Sequence, residues 1–242
     1  ELFLKINIFE KYNFKKEDYV KQINSITQDT LNNIEHWLYQ EIPSEYKESL
    51  FLAINERRWL DIIESFNQKL NFGTSGIRGK ISASLDDKTC EYELRQFLEF
   101  GINTTILRGP NTVNEIMISK YAEGLAHYMK KRNMIKFVIG YDGRIMSKTF
   151  AHIIKKIFLK NGLTVFFFDD VTSLPELSFS ITLLGADLGM EITASHNDKR
   201  YNGFKIITKL GSPPNSNERN DMSKEIFKNY DKSISFETNE DE

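Results

Sequence analysis

A chain of 242 residues that is 40% hydrophobic, 12% aromatic and 27% charged can bury a sizeable core, which excludes a disordered, collagenous or minimal-scaffold polypeptide. Thirty-two Lys and Arg against 34 Asp and Glu give a formal net charge of -2, so nucleic acid is not an expected partner, and no run approaches the roughly 20 apolar residues of a membrane span. The single Cys90 can form neither an intramolecular disulfide nor a thiolate zinc site, and a reducing, cytoplasmic compartment is the default expectation.

Residues 1–69 contain no glycine and one proline, Pro43, and carry Trp37 and Trp59. This segment reads as a helical extension. Leu50, Leu52, Ala53, Leu60, Ile62, Ile63 and Phe66 recur at helical spacing, which predicts one helix near Tyr46 to Lys69. From Asn71 glycines appear and apolar runs shorten, so a second unit is expected over residues 70–230, with a polar tail over 231–242. The start at Glu1 and the acidic run from Glu237 to Glu242 suggest an excerpt of a longer protein.

Within the second unit, Thr112-Val113-Asn114-Glu115 has the pattern of a capping box. The helix after it places Ile118, Tyr121, Ala122, Leu125, Ala126 and Met129 on one face, with Lys130, Lys131 and Arg132 where the helix dipole favours cations. Phe137 to Gly140 reads as a buried strand. Ser147 is the expected N-cap of a helix with Phe150, Ile153, Ile154, Ile157 and Phe158 inward and Gly162 at its end. A strand from Leu163 to Phe168, a helix entered at Pro175 and stopped at Gly185, and a strand from Leu188 to Thr193 complete β-α-β-α-β. The expected fold is α/β: three layers, with a mixed, mostly parallel sheet between helices. Tyr201-Asn202-Gly203-Phe204 reads as an Asn-Gly hairpin turn, followed by a loop and a short helix from about Glu218 to Tyr230.

Ligands of open α/β sheets bind beyond the carboxyl ends of the strands, where three loops should gather. The first, Phe72-Gly73-Thr74-Ser75-Gly76-Ile77-Arg78-Gly79-Lys80, combines three glycines, two hydroxyls and two cations. It fits an anion site or a plain turn, and it matches neither the Walker nor the dinucleotide pattern. The second runs from Ile192 to Lys205, where Ser195 leaves a buried strand beside His196 and Asn197 and the hairpin returns Lys205. That is an oxyanion environment. Ser195 could be an acyl nucleophile, but the Gly-x-Ser-x-Gly elbow is absent and an adjacent histidine is poorly aimed to deprotonate it, so a phosphate carrier fits better. The third, Tyr141-Asp142-Gly143-Arg144, could be an Asp-Arg pair pinning a turn or part of the site. His36, His127 and His152 read as helix or surface residues, and no metal cluster is visible in the sequence.

Thr193-Ala194-Ser195-His196-Asn197 together with Tyr201-Asn202-Gly203-Phe204-Lys205 resembles the phosphoserine loop of the α-D-phosphohexomutase superfamily. Phe72 to Gly79 and Gly140 to Arg144 resemble two further segments of that family, and all occur in family order. In length and texture the extension is similar to that of the phosphoglucomutase and phosphopentomutase branch. The resemblance implies the first of four domains of a mutase that passes the serine phosphoryl group to a sugar phosphate through a bisphosphate intermediate. Phosphoglucomutase is the expected activity; phosphomannomutase, phosphopentomutase or a non-catalytic phosphate-sensing homologue are the alternatives.

By the same resemblance Ser195, His196, Arg78 and Lys205 would be catalytic, and Thr74, Ser75, Asn197 and Arg144 would bind substrate or phosphate. Mg²⁺ would be held by Ser195 through its phosphate and by aspartates of a second domain, with glucose 1,6-bisphosphate as activator. The expected partners are a sugar phosphate and the remaining domains of the same chain, with no nucleic acid and no membrane. Asp198 departs from the family pattern, which commonly has proline there; a carboxylate would soften the loop or repel phosphate.

Overall fold

The computed structural model of the protein describes residues 16–73 and 76–229. The extension forms three helices, α1 (Lys16–Tyr39), α2 (Ser44–Asn55) and α3 (Trp59–Phe66). The single helix expected near Tyr46 to Lys69 is therefore two. The break is a Schellman closure: Arg57 takes a left-handed φ of 58°, and the N–H groups of Arg57 and Arg58 return to the carbonyls of Ile54 and Ala53. Glycine usually marks such an ending. Here the neighbouring Arg58 is tied instead to Asp61 at 2.8 Å and Glu93 at 2.6 Å, and these ion pairs stand in for that signal.

Trp37, Tyr46, Leu50, Ala53, Ile62 and Phe66 are buried against Leu107 and Ile116, so the extension shares a core with the chain after it. Asn111 seals the seam, its backbone N–H donating to the Ser65 carbonyl and its side-chain amide to the Glu64 carbonyl.

The α/β unit begins with β1 (Gly76–Lys80), where a loop was expected. Then follow α4 (Asp87–Phe100), α5 (Glu115–Lys131), β2 (Lys136–Tyr141), α6 (Ser147–Lys160), β3 (Thr164–Phe167), α7 (Leu174–Leu184), β4 (Leu188–Ile192), β5 (Tyr201–Thr208) and α8 (Ser216–Asn229). The strand order is β1-β5-β4-β2-β3. β3, β2 and β4 pair in parallel, and β5 runs antiparallel to both β4 and β1. Four strands thus share one direction, the mixed, mostly parallel sheet that the alternation of elements predicts.

Side chains alternate across the sheet. Ile77, Phe137, Ile139, Ile192, Phe204 and Ile206 enter the main core with α5, α6 and α8. Val138 and Ile207 face the other way, onto Leu177 and Ile181 of α7. Pro175 lies in the first turn of α7, and Gly162 and Gly185 take left-handed φ of 79° and 59° after their helices, as expected.

Four local expectations are corrected. No element was assigned to α4, although Asp86 caps it by accepting from the Thr89 N–H, a pattern legible in Asp-x-x-Thr. The cap of α5 is Asn114 and not Thr112: its Oδ1 accepts from the Met117 N–H at 3.0 Å while its amide donates to the Gly109 and Thr112 carbonyls. Glu115 does not reach back, because its carboxylate meets the Arg108 guanidinium at 3.0 Å with both side chains almost wholly buried. Ser147 is the first residue of α6, preceded by Met146 at φ 70°, and its hydroxyl donates to Asp142.

The Asn202-Gly203 pair lies inside β5 and makes no turn. Gly203 is there because β1 approaches too closely for a side chain: a Cβ would stand 2.1 Å from the Ile77 carbonyl oxygen. Gly76 makes the reciprocal approach to the Phe204 carbonyl.

Asn114→Ala should lower stability by about 1–2 kcal/mol, because it removes a helix cap and leaves a buried corner unpaired. The midpoint shift at constant slope in urea denaturation measures this.

Candidate functional site: the Ser195 loop and its clamp

The loop from Thr193 to Arg200 joins β4 to β5 at the carboxyl end of the parallel strands. Ser195 sits at its head with φ 60°, a left-handed conformation that a non-glycine residue rarely adopts. Its N–H donates to Thr193 Oγ1 at 2.8 Å, and Asn197 N–H turns back to the Ala194 carbonyl. The Ser195 side chain is exposed, and its Oγ lies 3.4 Å from His196 Nδ1. That separation is too long for a strong hydrogen bond, as the adjacency of the two residues implied.

Arg144 holds this conformation in place. One terminal nitrogen, Nη2, donates to the Ser195 carbonyl at 2.9 Å and to the Asn197 carbonyl at 2.7 Å. The other, Nη1, donates to the carbonyls of Asp198 at 2.8 Å and Tyr201 at 3.2 Å. Asp142 sits 3.3 Å from Nε and also accepts from Arg144 N–H. The expectation that Arg144 binds phosphate is therefore corrected: its four terminal N–H groups are spent on main-chain carbonyls. Of the two readings of Tyr141 to Arg144, the Asp-Arg pair that pins a turn describes the structure, and what it pins is the serine loop.

A second tier supports the pair. Asp142 Oδ1 accepts from the Ser147 hydroxyl at 2.8 Å, which accepts from Asn202 Nδ2 at 3.0 Å; Asn202 also donates to the Ile145 carbonyl. Sequence reasoning missed Ser147 and Asn202 because a cap and a turn account for both residue types without tertiary contacts.

Arg78 reaches the loop from β1, Nη1 donating to Asn197 Oδ1 at 2.8 Å. Register pairs Arg78 with Gly203 and Gly76 with Lys205. Residues two apart along a strand share a face, so Arg78 and Lys205 rise from the same side of the sheet with only Gly203 between them. Arg78 is exposed, Lys205 is half-buried, and Lys205 makes no ion pair among the described residues. Ser195, His196, Asn197, Arg78 and Lys205 therefore converge, whereas Thr74 and Ser75 lie outside the described residues. An open cleft of about 250 Å³ adjoins Arg78, walled by Glu64 and Gln68 of the extension and by Lys80 and Tyr201.

Asp198 neither softens the loop nor faces the anion position. Its carboxylate folds onto Arg200, which donates to both oxygens and holds it below the usual carboxylate range. Lys199 is bound to Glu91, and Arg200 stands 3.7 Å from Asp87, so the loop is also moored to α4.

The chemistry that follows is that of an anion carrier: an exposed hydroxyl on a rigid turn, with two cations and an amide beside it and no well-placed base for acyl transfer. No group of three His, Cys, Asp or Glu among the described residues could hold a metal ion. The donor this unit can offer a hard cation such as Mg²⁺ is an oxygen carried on Ser195, which its exposure leaves accessible.

Comparison with known proteins agrees with this geometry. Residues 94–233 match the family described as phosphoglucomutase/phosphomannomutase, alpha/beta/alpha domain I. That span includes the serine loop and the Arg144 segment and starts after β1. A phosphoglucomutase of Staphylococcus haemolyticus (strain JCSC1435) is 37% identical over 144 residues, covering 59% of this chain and 22% of that protein. A phosphoglucomutase of Staphylococcus aureus (strain USA300) is 38% identical over 150 residues, covering 62% and 23%. The chain thus spans less than a quarter of the length of these relatives. A solved structure from Thermus thermophilus, described as a phosphomannomutase, superposes with a TM-score of 0.52 at 24% identity, over 66% of this chain and 30% of that one, and shares the fold.

Proposed function

The chain belongs to the phosphoglucomutase/phosphomannomutase family through its α/β/α domain I, and from that premise we propose that it is the phosphoserine-bearing part of a phosphosugar mutase that interconverts glucose 1-phosphate and glucose 6-phosphate. The observation that carries the reading is the exposed Ser195 hydroxyl at a left-handed φ, on a loop gripped by Arg144 and faced by Arg78 and Lys205.

In the proposed cycle a sugar hydroxyl attacks the phosphorus on Ser195. The new O–P bond forms as the Ser195 O–P bond breaks, and the hydroxyl proton ends on the serine oxygen or on a base beside it. The bisphosphate turns over and returns its other phosphoryl group to Ser195. Glucose 1,6-bisphosphate acts as activator by loading the serine. Arg78 and Lys205 stabilise the negative charge on the transferring oxygens, and Asn197 is oriented for this through its bond to Arg78. His196, 3.4 Å from Oγ, is placed to exchange a proton with it. When bound, Mg²⁺ neutralises charge on the phosphoryl oxygens. Sugar selection and the remaining metal ligands are assigned to the further domains that the longer relatives carry.

The preference for glucose rests on the phosphoglucomutase relatives, and the cytoplasmic placement on the lone cysteine and on the absence, among the described residues, of any helix long and apolar enough to cross a membrane. The test is ³¹P NMR of the complete protein with Mg²⁺ and a trace of glucose 1,6-bisphosphate, offered glucose, mannose and ribose 1-phosphates in turn. Conversion of glucose 1-phosphate to the 6-phosphate is expected. Conversion of mannose or ribose 1-phosphate alone would reassign the sugar, and no conversion of any would overturn the mutase.

A further inference from the structure

Strand β4 carries an acid in the interior of the sheet. Glu191 is 2% exposed, and the register sets it in a row across four strands: Gly140 of β2, Glu191, Lys205 of β5 and Gly76 of β1. Directly opposed residues point to one face, so carboxyl and ammonium lie side by side with a glycine beyond each. Gly140 provides the space, since a Cβ there would stand 2.7 Å from Glu191 Oε2. That oxygen has no hydrogen-bond partner among the described residues. Asp142, from the loop after β2, and Glu176, of α7, add negative charge, and Lys205 opposes them. Burial foremost, then Asp142, pushes the Glu191 carboxyl up to about 8, so it holds its proton in neutral solution.

We propose that Glu191 is a positioning residue for Lys205: protonated, it leaves the ammonium free to reach the phosphoryl oxygens at Ser195, and ionised, it draws the ammonium back onto the sheet. The consequence for catalysis rests on the mutase reading of Lys205. The coupling between the two side chains does not.

A glutamine at this position has the shape of the protonated acid and cannot ionise. The test therefore follows Lys205 Nζ by ¹⁵N NMR in the complete protein, assigned with Lys205→Arg, in wild type and Glu191→Gln. Expected is an inflection of the Lys205 signal near pH 8 in wild type that is absent in Glu191→Gln and retained in Glu191→Asp. In parallel, kcat/KM of wild type should fall about tenfold between pH 7 and 9, and Glu191→Gln should lack that limb.

Stability gives a readout independent of turnover. The folded chain keeps this proton up to about pH 8 and the unfolded chain loses it near 4.5. Stability of wild type relative to Glu191→Gln should therefore fall as pH rises through that window. An unchanged Lys205 signal across pH 8, or the same inflection in Glu191→Gln, would overturn the pairing. A wild type that turns over no sugar phosphate but keeps the inflection would overturn the mutase and leave the pairing standing.

Discussion

Ser195→Ala in the complete protein is expected to reduce sugar-phosphate interconversion by on the order of 10⁴-fold or more, the scale on which enzymes lose activity with their covalent carrier. Neither neighbour can substitute. Thr193 has its hydroxyl engaged with the Ser195 N–H, and His196 stands to one side of the position that Oγ occupies. The loop itself should survive, because its contacts run through main-chain carbonyls that the substitution leaves untouched. The decisive observation is paired: incubation with glucose 1,6-bisphosphate should add about 80 Da to wild type by intact mass spectrometry and nothing to the variant, while thermal unfolding stays close to wild type. Full phosphorylation of the variant would place the carrier elsewhere.

Arg144→Gln and Arg144→Lys should each cost roughly 10²-fold in kcat/KM, although neither touches a reacting atom, because loss of sub-ångström positioning carries that scale of penalty. Four carbonyls converge on a planar fork, and three of them belong to Ser195, Asn197 and Asp198. Lysine offers a point charge with three donors and cannot span them. Removing the fork leaves those carbonyls to water and lets Ser195 relax from φ 60°. A positioning role separates from phosphate binding in the kinetics: kcat and the rate of Ser195 phosphorylation should fall, with KM for the sugar phosphate changing less. A KM-dominated defect would return Arg144 to the phosphate. Amide exchange of residues 194–198 should accelerate in both variants.

The β-α-β-α-β core was legible because each helix from Glu115 onward has an apolar stripe bounded by recognisable stops, and the buried strands are short, continuous and apolar. The candidate site was legible as a set of residue types around Ser195. Their division of labour was not. Arg144 carries the same charge whether it meets a phosphate or four carbonyls, and only tertiary structure distinguishes the two. Asn202-Gly203 misled for a related reason: glycine serves a tight turn and a close strand approach equally well, and the approach of β1 is a long-range fact. The helix break at Arg57 and the cap at Asn114 were set by Arg58 and by the Arg108–Glu115 pair, partners remote from the local pattern. Glu191 did leave a trace, an acid inside an otherwise apolar strand.

Arg78 and Asn197 meet although 119 residues of chain separate them. During synthesis β1 emerges long before β5, the one strand it pairs with. Folding of this domain must therefore proceed through a state in which β2, β3 and β4 are assembled while one side of β4 still waits for β5 and, behind it, β1. In that interval the ribosome-bound chain presents unpaired strand edges to its surroundings, and the anion site does not exist, since half of it arrives with the last strands to dock.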